Sequence, residues 1–574
     1  MSSRMHPFQF ALTLFLGIIL SAASPVHAQL KTTVHVETAK PEATVFTTSV
    51  GIAADRWDAK AFDPATVKLL QDAGITSLTF PGNNGIAALY HFSTGAVTNP
   101  YTNDRAPAFA PERKFPAMAS VIDDLGTAVV SVNYGTNLDG SGGGEPAEAA
   151  AWVAYANGKT SSTQPIGKDS KGNDWKTVGY WASLRASTPL PTDDGFNALR
   201  IQHLDPLGIL LWKVGNEPYY NGFYDQAHTT GSDADTTGLY GQAGSPEPDL
   251  HAGQVPTSRD WFRLSKNPKV GPQAYGAAVV EFAKAMKAVD PTIFVGAALT
   301  LPLTTSGDNS PNPLGKNWNA GVLKAACASM DFSAVSITEG KGAPPDYNLN
   351  LDEDDLLRIA RDPLDNMKHF NEPGLQHDYA LLAADLSEKY KKLCPAGHAP
   401  QVAITNLAIT PWLPAKDPVV IGLFAADAMA TLLERGAYTV AWSPVHAASP
   451  TFLDNNNQPQ PAYYGIKLFH QVAHVGDAFV PASTPLELLT VHALKRRDGG
   501  LSLLLVNKDP KQSITATVTV DGYTFATKGT RYDWGKPGSD AGNSITEAPV
   551  DGLGATFTVV VPRYSITALV IPKA

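Results

Sequence analysis

The chain has 574 residues, 43% of them hydrophobic and 17% charged, which suits a soluble globular protein with one large domain and one smaller one. The formal net charge is -10, which argues against a nucleic-acid partner, whose phosphates demand a basic face, and fits a neutral one. The two cysteines, Cys327 and Cys394, exclude both a disulfide-stapled mini-fold and a Cys-rich metal motif.

The first segment reads as a secretory signal. Arg4 supplies the positive start, Phe10–Leu20 is a short apolar run, and Val26-His27-Ala28 offers small residues for cleavage. The expected mature chain starts at Gln29. The apolar run is shorter than the roughly 20 residues that span a bilayer, and no later segment is long and apolar enough to do so. Residues 29–47 hold a β-like stretch, Thr32–Val36, that is a candidate to join a C-terminal sheet.

From residue 48 to 470, strand-like and helix-like runs alternate. Val50–Ala54, Ile75–Phe80, Ala128–Asn133, Ile209–Val214, Ile293–Ala298, Phe332–Ile337, Val402–Thr405 and Thr439–Trp442 read as strands. Pro64–Ala73, Ala147–Ala156 and Tyr275–Val289 are among the helices between them. Apolar strands alternating with helices imply a parallel sheet buried on both faces, and eight of them imply closure into a (β/α)8 barrel. Residues 471–574 change rhythm. Short runs such as Leu501–Val506, Ile514–Val520 and Ile566–Ile571, separated by Gly, Asp and Pro, predict an antiparallel β-sandwich. Cys327 and Cys394 each precede a strand, and those two strands are neighbours in the count. A disulfide at the bottom of the barrel and two buried thiols are both open readings.

The sharpest chemical signal is Trp212-Lys213-Val214-Gly215-Asn216-Glu217-Pro218. It places a carboxylate where the fourth barrel strand ends, on the face where barrel active sites form. A glycosidase needs a carboxylic acid there to protonate the leaving oxygen. Asn216 beside it can hydrogen-bond a sugar hydroxyl. The plain alternative is an exposed turn glutamate.

With this motif in view, the chain resembles the clan A glycoside hydrolases, particularly the α-L-arabinofuranosidases of family 51. Leu78-Thr79-Phe80-Pro81-Gly82 is similar to their second-strand end, and Val132-Asn133-Tyr134-Gly135-Thr136 to their third. Trp212 to Glu217 is similar to their acid/base motif, Ala285 to Pro291 to a helix end, and Pro562 to Thr567 to their closing sandwich strand. The resemblance implies a hydrolase of O-glycosidic bonds with Glu217 as general acid/base, and Asn216, Asn133 and Tyr134 at the substrate. There are departures. The family's strand-seven nucleophile is a glutamate, and the matching stretch here is Val402-Ala403-Ile404-Thr405-Asn406. An amide is not a useful nucleophile, so Asn406 is assigned to substrate binding. The family's second-strand Arg corresponds to Thr79 and its sixth-strand His to Thr338. Glu339, ending strand six, is the available second catalytic carboxylate: a nucleophile at about 5 Å from Glu217, or an activator of water at roughly 6.5–9.5 Å. A structural loop carboxylate is the competing reading for Glu339, and Asp55 is a weaker candidate of the same kind.

Trp57, Tyr90, Tyr134, Tyr219, Tyr220, Trp412 and Trp442 are expected near the mouth, with Trp442 as a sugar platform. No HExxH spacing and no GxSxG elbow occur, so no metal, no cofactor and no Ser-His-Asp triad are expected. The expected function is an exported glycoside hydrolase acting on a carbohydrate substrate, with no nucleic-acid or membrane partner. The alternative is a carbohydrate-binding protein on the same fold without turnover.

Overall fold

The computed structural model describes residues 30–54, 58–82, 89–97, 114–139, 142–218, 272–300, 318–339, 379–409, 417–446, 451–535 and 544–574. The expected cleavage segment, Asp55, Trp57, Tyr219, Tyr220 and Trp412 lie outside them.

The strands in chain order begin with β1 (Leu30–Glu37), β2 (Val50–Ala53), β3 (Ser77–Phe80), β4 (Tyr90–His91), β5 (Ala96–Val97), β6 (Thr127–Val132) and β7 (Leu211–Val214). Next come β8 (Phe294–Leu299), β9 (Phe332–Glu339), β10 (Gln401–Ile409) and β11 (Ala437–Ser443). A closed barrel forms in the order β10-β11-β2-β3-β6-β7-β8-β9, and every neighbouring pair is parallel. All residues of β2, β3, β6 and β7 are buried, which is why these strands read as apolar runs without alternation. Alternation still decides which residue faces the barrel axis. Val129, Leu211, Phe332, Ala334 and Ala403 make a separate interior cluster, while Val130, Trp212, Val335 and Ile404 belong to the core shared with the helices. Gly296 makes room inside: a Cβ there would lie 2.3 Å from the Phe332 ring.

Helices Pro64–Asp72, Pro146–Asn157, Pro272–Val289, Trp318–Ala326, Tyr379–Leu393, Val419–Glu434 and Pro461–Val472 cover the barrel. Cys327, just before β9, and Cys394, just before β10, form a disulfide with their Cα atoms 5.3 Å apart. It links the two chain segments at the bottom of the barrel, which decides between the two readings left open for these cysteines.

The remaining strands are β12 (Ala478–Val480), β13 (Ala482–Ser483), β14 (Leu489–Lys495), β15 (Leu501–Asn507), β16 (Ile514–Asp521), β17 (Lys528–Gly535), β18 (Thr546–Asp551), β19 (Thr556–Val561) and β20 (Ser565–Ile571). They form two sheets, β13-β1-β16-β19 and β12-β14-β15-β20-β17-β18. The alternating burial of β16 and β19 is that of strands with one dry face. The N-terminal strand β1 joins here, pairing with β16 from Leu30↔Ile514 to Glu37↔Asp521. That pairing is parallel, so the sandwich is antiparallel except along this ladder. Tyr464 of the last barrel helix stacks on Trp534 of β17 at 5.7 Å, which ties the two layers together. No helix among the described residues is long and apolar enough to cross a membrane.

Candidate active site

β7 carries Asn216 and Glu217 to the C-terminal rim. Its end is fixed from the helix side. The Tyr275 hydroxyl donates to the Val214 carbonyl at 2.6 Å and accepts from the Ala298 N–H at 2.9 Å. Trp318 stacks on Tyr275 at 5.4 Å and donates its indole N–H to the Ala298 carbonyl at 3.0 Å. The chain then turns sharply. Gly215 has φ +68°, and a Cβ there would meet the Tyr134 Cβ at 2.9 Å. Glu217 itself has φ +45°, a left-handed conformation that a residue with a Cβ adopts at a cost of about 1–2 kcal/mol. Such strain persists where the surroundings hold it, and it collects at functional sites. Asn216 and Glu217 are both buried.

Below this turn is a residue whose role the sequence reading did not assign. Lys213 sits on the axial side of β7, one residue after the outward-facing Trp212, and its side chain is fully enclosed. Its Nζ donates to Asn216 Oδ1 at 2.6 Å and reaches Thr405 Oγ1 at 3.4 Å, across the barrel on β10. Burial pushes the Lys213 ammonium down to about 8, against the opposing pull of Glu217. The available signal was a lysine inside Ile209–Val214, an otherwise apolar strand.

Asn133 follows β6, and its amide is committed to the protein. Nδ2 approaches the His91 ring nitrogens at 3.2 and 3.3 Å and Thr136 Oγ1 at 3.4 Å, and Oδ1 accepts the Thr136 N–H at 3.0 Å. His91 in turn contacts both Glu148 carboxylate oxygens through Nδ1, at 2.9 and 3.0 Å. Nothing in the sequence brought His91 and Glu148 together. Asn133 therefore braces the third-strand end. Tyr134 is buried edge-on against Tyr275 at 5.1 Å, and burial pushes its hydroxyl well above the usual tyrosine range.

On β10, the register slips between Ile404 and Asn406 relative to β9. This bulge adds one residue, so Thr405 can face Lys213 while the buried Asn406 donates from Nδ2 to the Ile337 carbonyl at 3.5 Å. Thr79 is buried on β3, without a hydrogen-bond partner for its hydroxyl among the described residues. Glu339 ends β9 in register with Ile409, three residues beyond Asn406 on the neighbouring strand. The side chains of Thr338 and Glu339 lie outside the described residues.

Two expected mouth aromatics are elsewhere. Trp442 is 0% exposed and packs against Phe424 of the helix layer at 6.4 Å, so it offers no face to a sugar. Its register partner Ile52 is also in the helix-facing core, and alternation places Ala441 toward the axis instead. Tyr90 is likewise enclosed, its hydroxyl accepting the Phe115 N–H at 3.0 Å and its ring 5.7 Å from Trp152. No group of three or more His, Cys, Asp or Glu among the described residues is placed to hold a metal ion.

No protein-family model matches the chain, and no curated protein does. Solved structures do match. The α-L-arabinofuranosidase from Thermotoga maritima superposes with a TM-score of 0.61 at 15% identity, covering 94% of this chain and 100% of that one. A family 51 α-L-arabinofuranosidase from Bifidobacterium longum gives 0.60 at 14%, covering 94% and 99%. A family 44 xyloglucanase from Paenibacillus polymyxa gives 0.56 at 14%, covering 95% and 100%. At these identities the likeness is one of fold: the chain has the glycoside-hydrolase-like (β/α)8 barrel with an attached β-domain.

Proposed function

We propose that this protein is an exported O-glycoside hydrolase of arabinofuranosidase-like character, with Glu217 as its general acid/base carboxylate and Asn216 at the substrate. The observation that carries this reading is the turn at residues 215–217. A buried glutamate is held in a left-handed conformation at the C-terminal end of a barrel strand, where the fold places chemistry. The strained turn is what a site that must aim one carboxylate would keep. Export is supported by the apolar N-terminal run and by the Cys327–Cys394 disulfide, which suits an oxidising compartment. Glu339 is the proposed partner carboxylate.

A second reading, a carbohydrate-binding protein without turnover, is favoured by Asn406. An amide stands where the resembled family has its nucleophile, and it bonds to the barrel backbone.

The test is hydrolysis of aryl glycosides, beginning with the α-L-arabinofuranoside, by wild type beside Glu217→Gln and Glu339→Gln. The expected result is a loss of about 10²-fold or more in both variants. A loss in Glu217→Gln alone removes Glu339 from the site. Saccharide binding with no turnover by wild type replaces the hydrolase with the binding protein.

A further inference from the structure

A cavity of about 460 Å³ lies on the outside of the barrel, between the last barrel helix, Pro461–Val472, and strands β17 and β18 of the sandwich. Two periodicities build its walls. On the helix, Tyr464, Lys467 and Gln471 stand three and four residues apart, so they share one stripe. On the sheet, Tyr532 of β17 is the register partner of Glu547 of β18, so both side chains leave the sheet on the same side. Trp534, two residues beyond Tyr532, points the same way and holds the Tyr464 ring, stacked at 5.7 Å with 13° between the planes. Pro459, in the segment that joins β11 to the helix, puts one end of the cavity on the rim side of the barrel. β18 ends its sheet, so the cavity runs along a sheet edge.

Part of this lining is committed to the protein. Asp72 accepts from both the Tyr463 hydroxyl and Lys467 Nζ, and Lys467 lies 5.7 Å over the Tyr463 ring. Tyr532, Gln471 and Glu547 differ: among the described residues their side chains make no hydrogen bond or ion pair, and the Tyr532 ring stacks on no other ring. The cavity therefore offers an aromatic face, an amide, a carboxylate and a phenol to whatever enters it. Aromatic faces suit the C–H faces of sugar rings, and the polar groups suit their hydroxyls, in a volume ordinary for a ligand site. With Lys467 offset by Asp72, Glu547 leaves the lining with no spare cation, which disfavours a phosphate or sulfate ligand. Charged groups around the rings also disfavour the apolar centre of a protein interface. We propose that this cavity is a carbohydrate-binding site separate from the barrel mouth. It holds a stretch of neutral polysaccharide, with Tyr532 as stacking platform and Gln471 and Glu547 as partners of sugar hydroxyls. The site goes beyond the hydrolase reading and does not depend on it, since a binding protein without turnover would use it equally.

The experiment is native electrophoresis through gels cast with soluble arabinan, arabinoxylan or hydroxyethylcellulose, with dissociation constants taken from the retardation at several polymer concentrations. The proteins are wild type, Tyr532→Ala, Tyr532→Phe and Gln471→Ala, each with its melting temperature recorded. The gels need no turnover, so they read this site whether or not the aryl glycosides are hydrolysed. Wild type is expected to be retarded in at least one gel. Tyr532→Ala is expected to weaken that binding about three- to tenfold, and Tyr532→Phe, which keeps the ring, to stay near wild type. Gln471→Ala, which leaves the sheet side untouched and carries the test if Tyr532→Ala does not fold, is expected to weaken it about two- to tenfold. Wild type unretarded in all three gels overturns the proposal, as does retardation unchanged in folded Tyr532→Ala and Gln471→Ala. Binding of a decaproline peptide, lost in Tyr532→Ala, without retardation by any polysaccharide would make the cavity a peptide groove and overturn it as well.

Discussion

Two of the places where this molecule buries charge do so differently. At the seam between barrel and sandwich, Asp427 of helix Val419–Glu434 is fully enclosed and touches two cations. It accepts from His492 Nε2 of β14 at 2.9 Å and pairs with Lys508, which follows β15. His492 Nδ1 meets Glu434 at 2.6 Å. Burial alone would push Asp427 up, but Lys508 and His492 override it and hold the carboxyl well below the usual carboxylate range. His492 is held up at about 9: burial works against its charge, and Asp427 and Glu434 prevail. At the mouth the balance goes the other way. Burial prevails over the pull of Glu217, and Lys213 falls to about 8. Charge at the seam is matched by opposite charge, with Asp427 and Glu434 against Lys508 and His492. Among the described residues, the charge of Lys213 at the mouth meets an amide oxygen, a hydroxyl and the acid of a strained turn. The seam is arranged for folding, and the mouth, on the reading above, for chemistry.

The comparison breaks first at Asp427. Asp427→Asn removes the anion that Lys508 and His492 share, leaving His492 its contact with Glu434, and should cost about 3–5 kcal/mol of stability, measured by denaturant unfolding, with little effect on any glycosidase activity of the folded protein. A cost under about 1 kcal/mol would show that the seam charges are not what joins the domains. Gly215→Ala should cost about 1–3 kcal/mol, because its φ of +68° and the Tyr134 Cβ at 2.9 Å both oppose a methyl group. Unlike Asp427→Asn, it should also lower turnover, since the carboxylate it carries would be re-aimed.

Alkaline titration gives a smaller but sharper contrast. Lys213 is lowered from 10.5 to about 8 in the folded state, so between those values the unfolded chain binds a proton that the native one has released. Stability therefore rises with pH across that window on account of Lys213. His492 is raised from 6.5 to about 9, so its contribution is complete below about pH 6.5 and is lost as pH rises through 9. Wild type should gain stability relative to Lys213→Met as pH climbs from 8 to 10.5, read from thermal unfolding of the two proteins side by side. A flat difference would mean that Lys213 titrates normally.

Much of the barrel was legible because strands buried on both faces are apolar along their whole length, and each predicted strand coincides with a β2–β11 barrel strand to within a few residues. The position of Glu217 at a strand end was legible for the same reason: it stands where the apolar run of β7 stops. What failed was the side of the strand. Trp442 looked like a platform because it is aromatic and near a strand end, yet β11 points it at Phe424. Lys213 was passed over because it sits within an apolar run, although the alternation that sends Trp212 outward sends Lys213 inward. The support of Asn133 by His91 and Glu148 joins residues from a hairpin and a later helix, and no local pattern announces it. The slip in β10 that lets Thr405 reach Lys213 and Asn406 reach the Ile337 carbonyl depends on two neighbouring strands, so it is a tertiary property.

The central claim is that the charges at the mouth serve chemistry at the expense of stability. The most direct test is the double variant Lys213→Met/Glu217→Gln, unfolded at neutral pH beside wild type and assayed on the best aryl glycoside. Removing two opposite buried charges together is often neutral or stabilising by about 1–4 kcal/mol. The account predicts a double variant at least as stable as wild type and without turnover. A double variant destabilised as Asp427→Asn is expected to be, or one that still hydrolyses the glycoside, would contradict it.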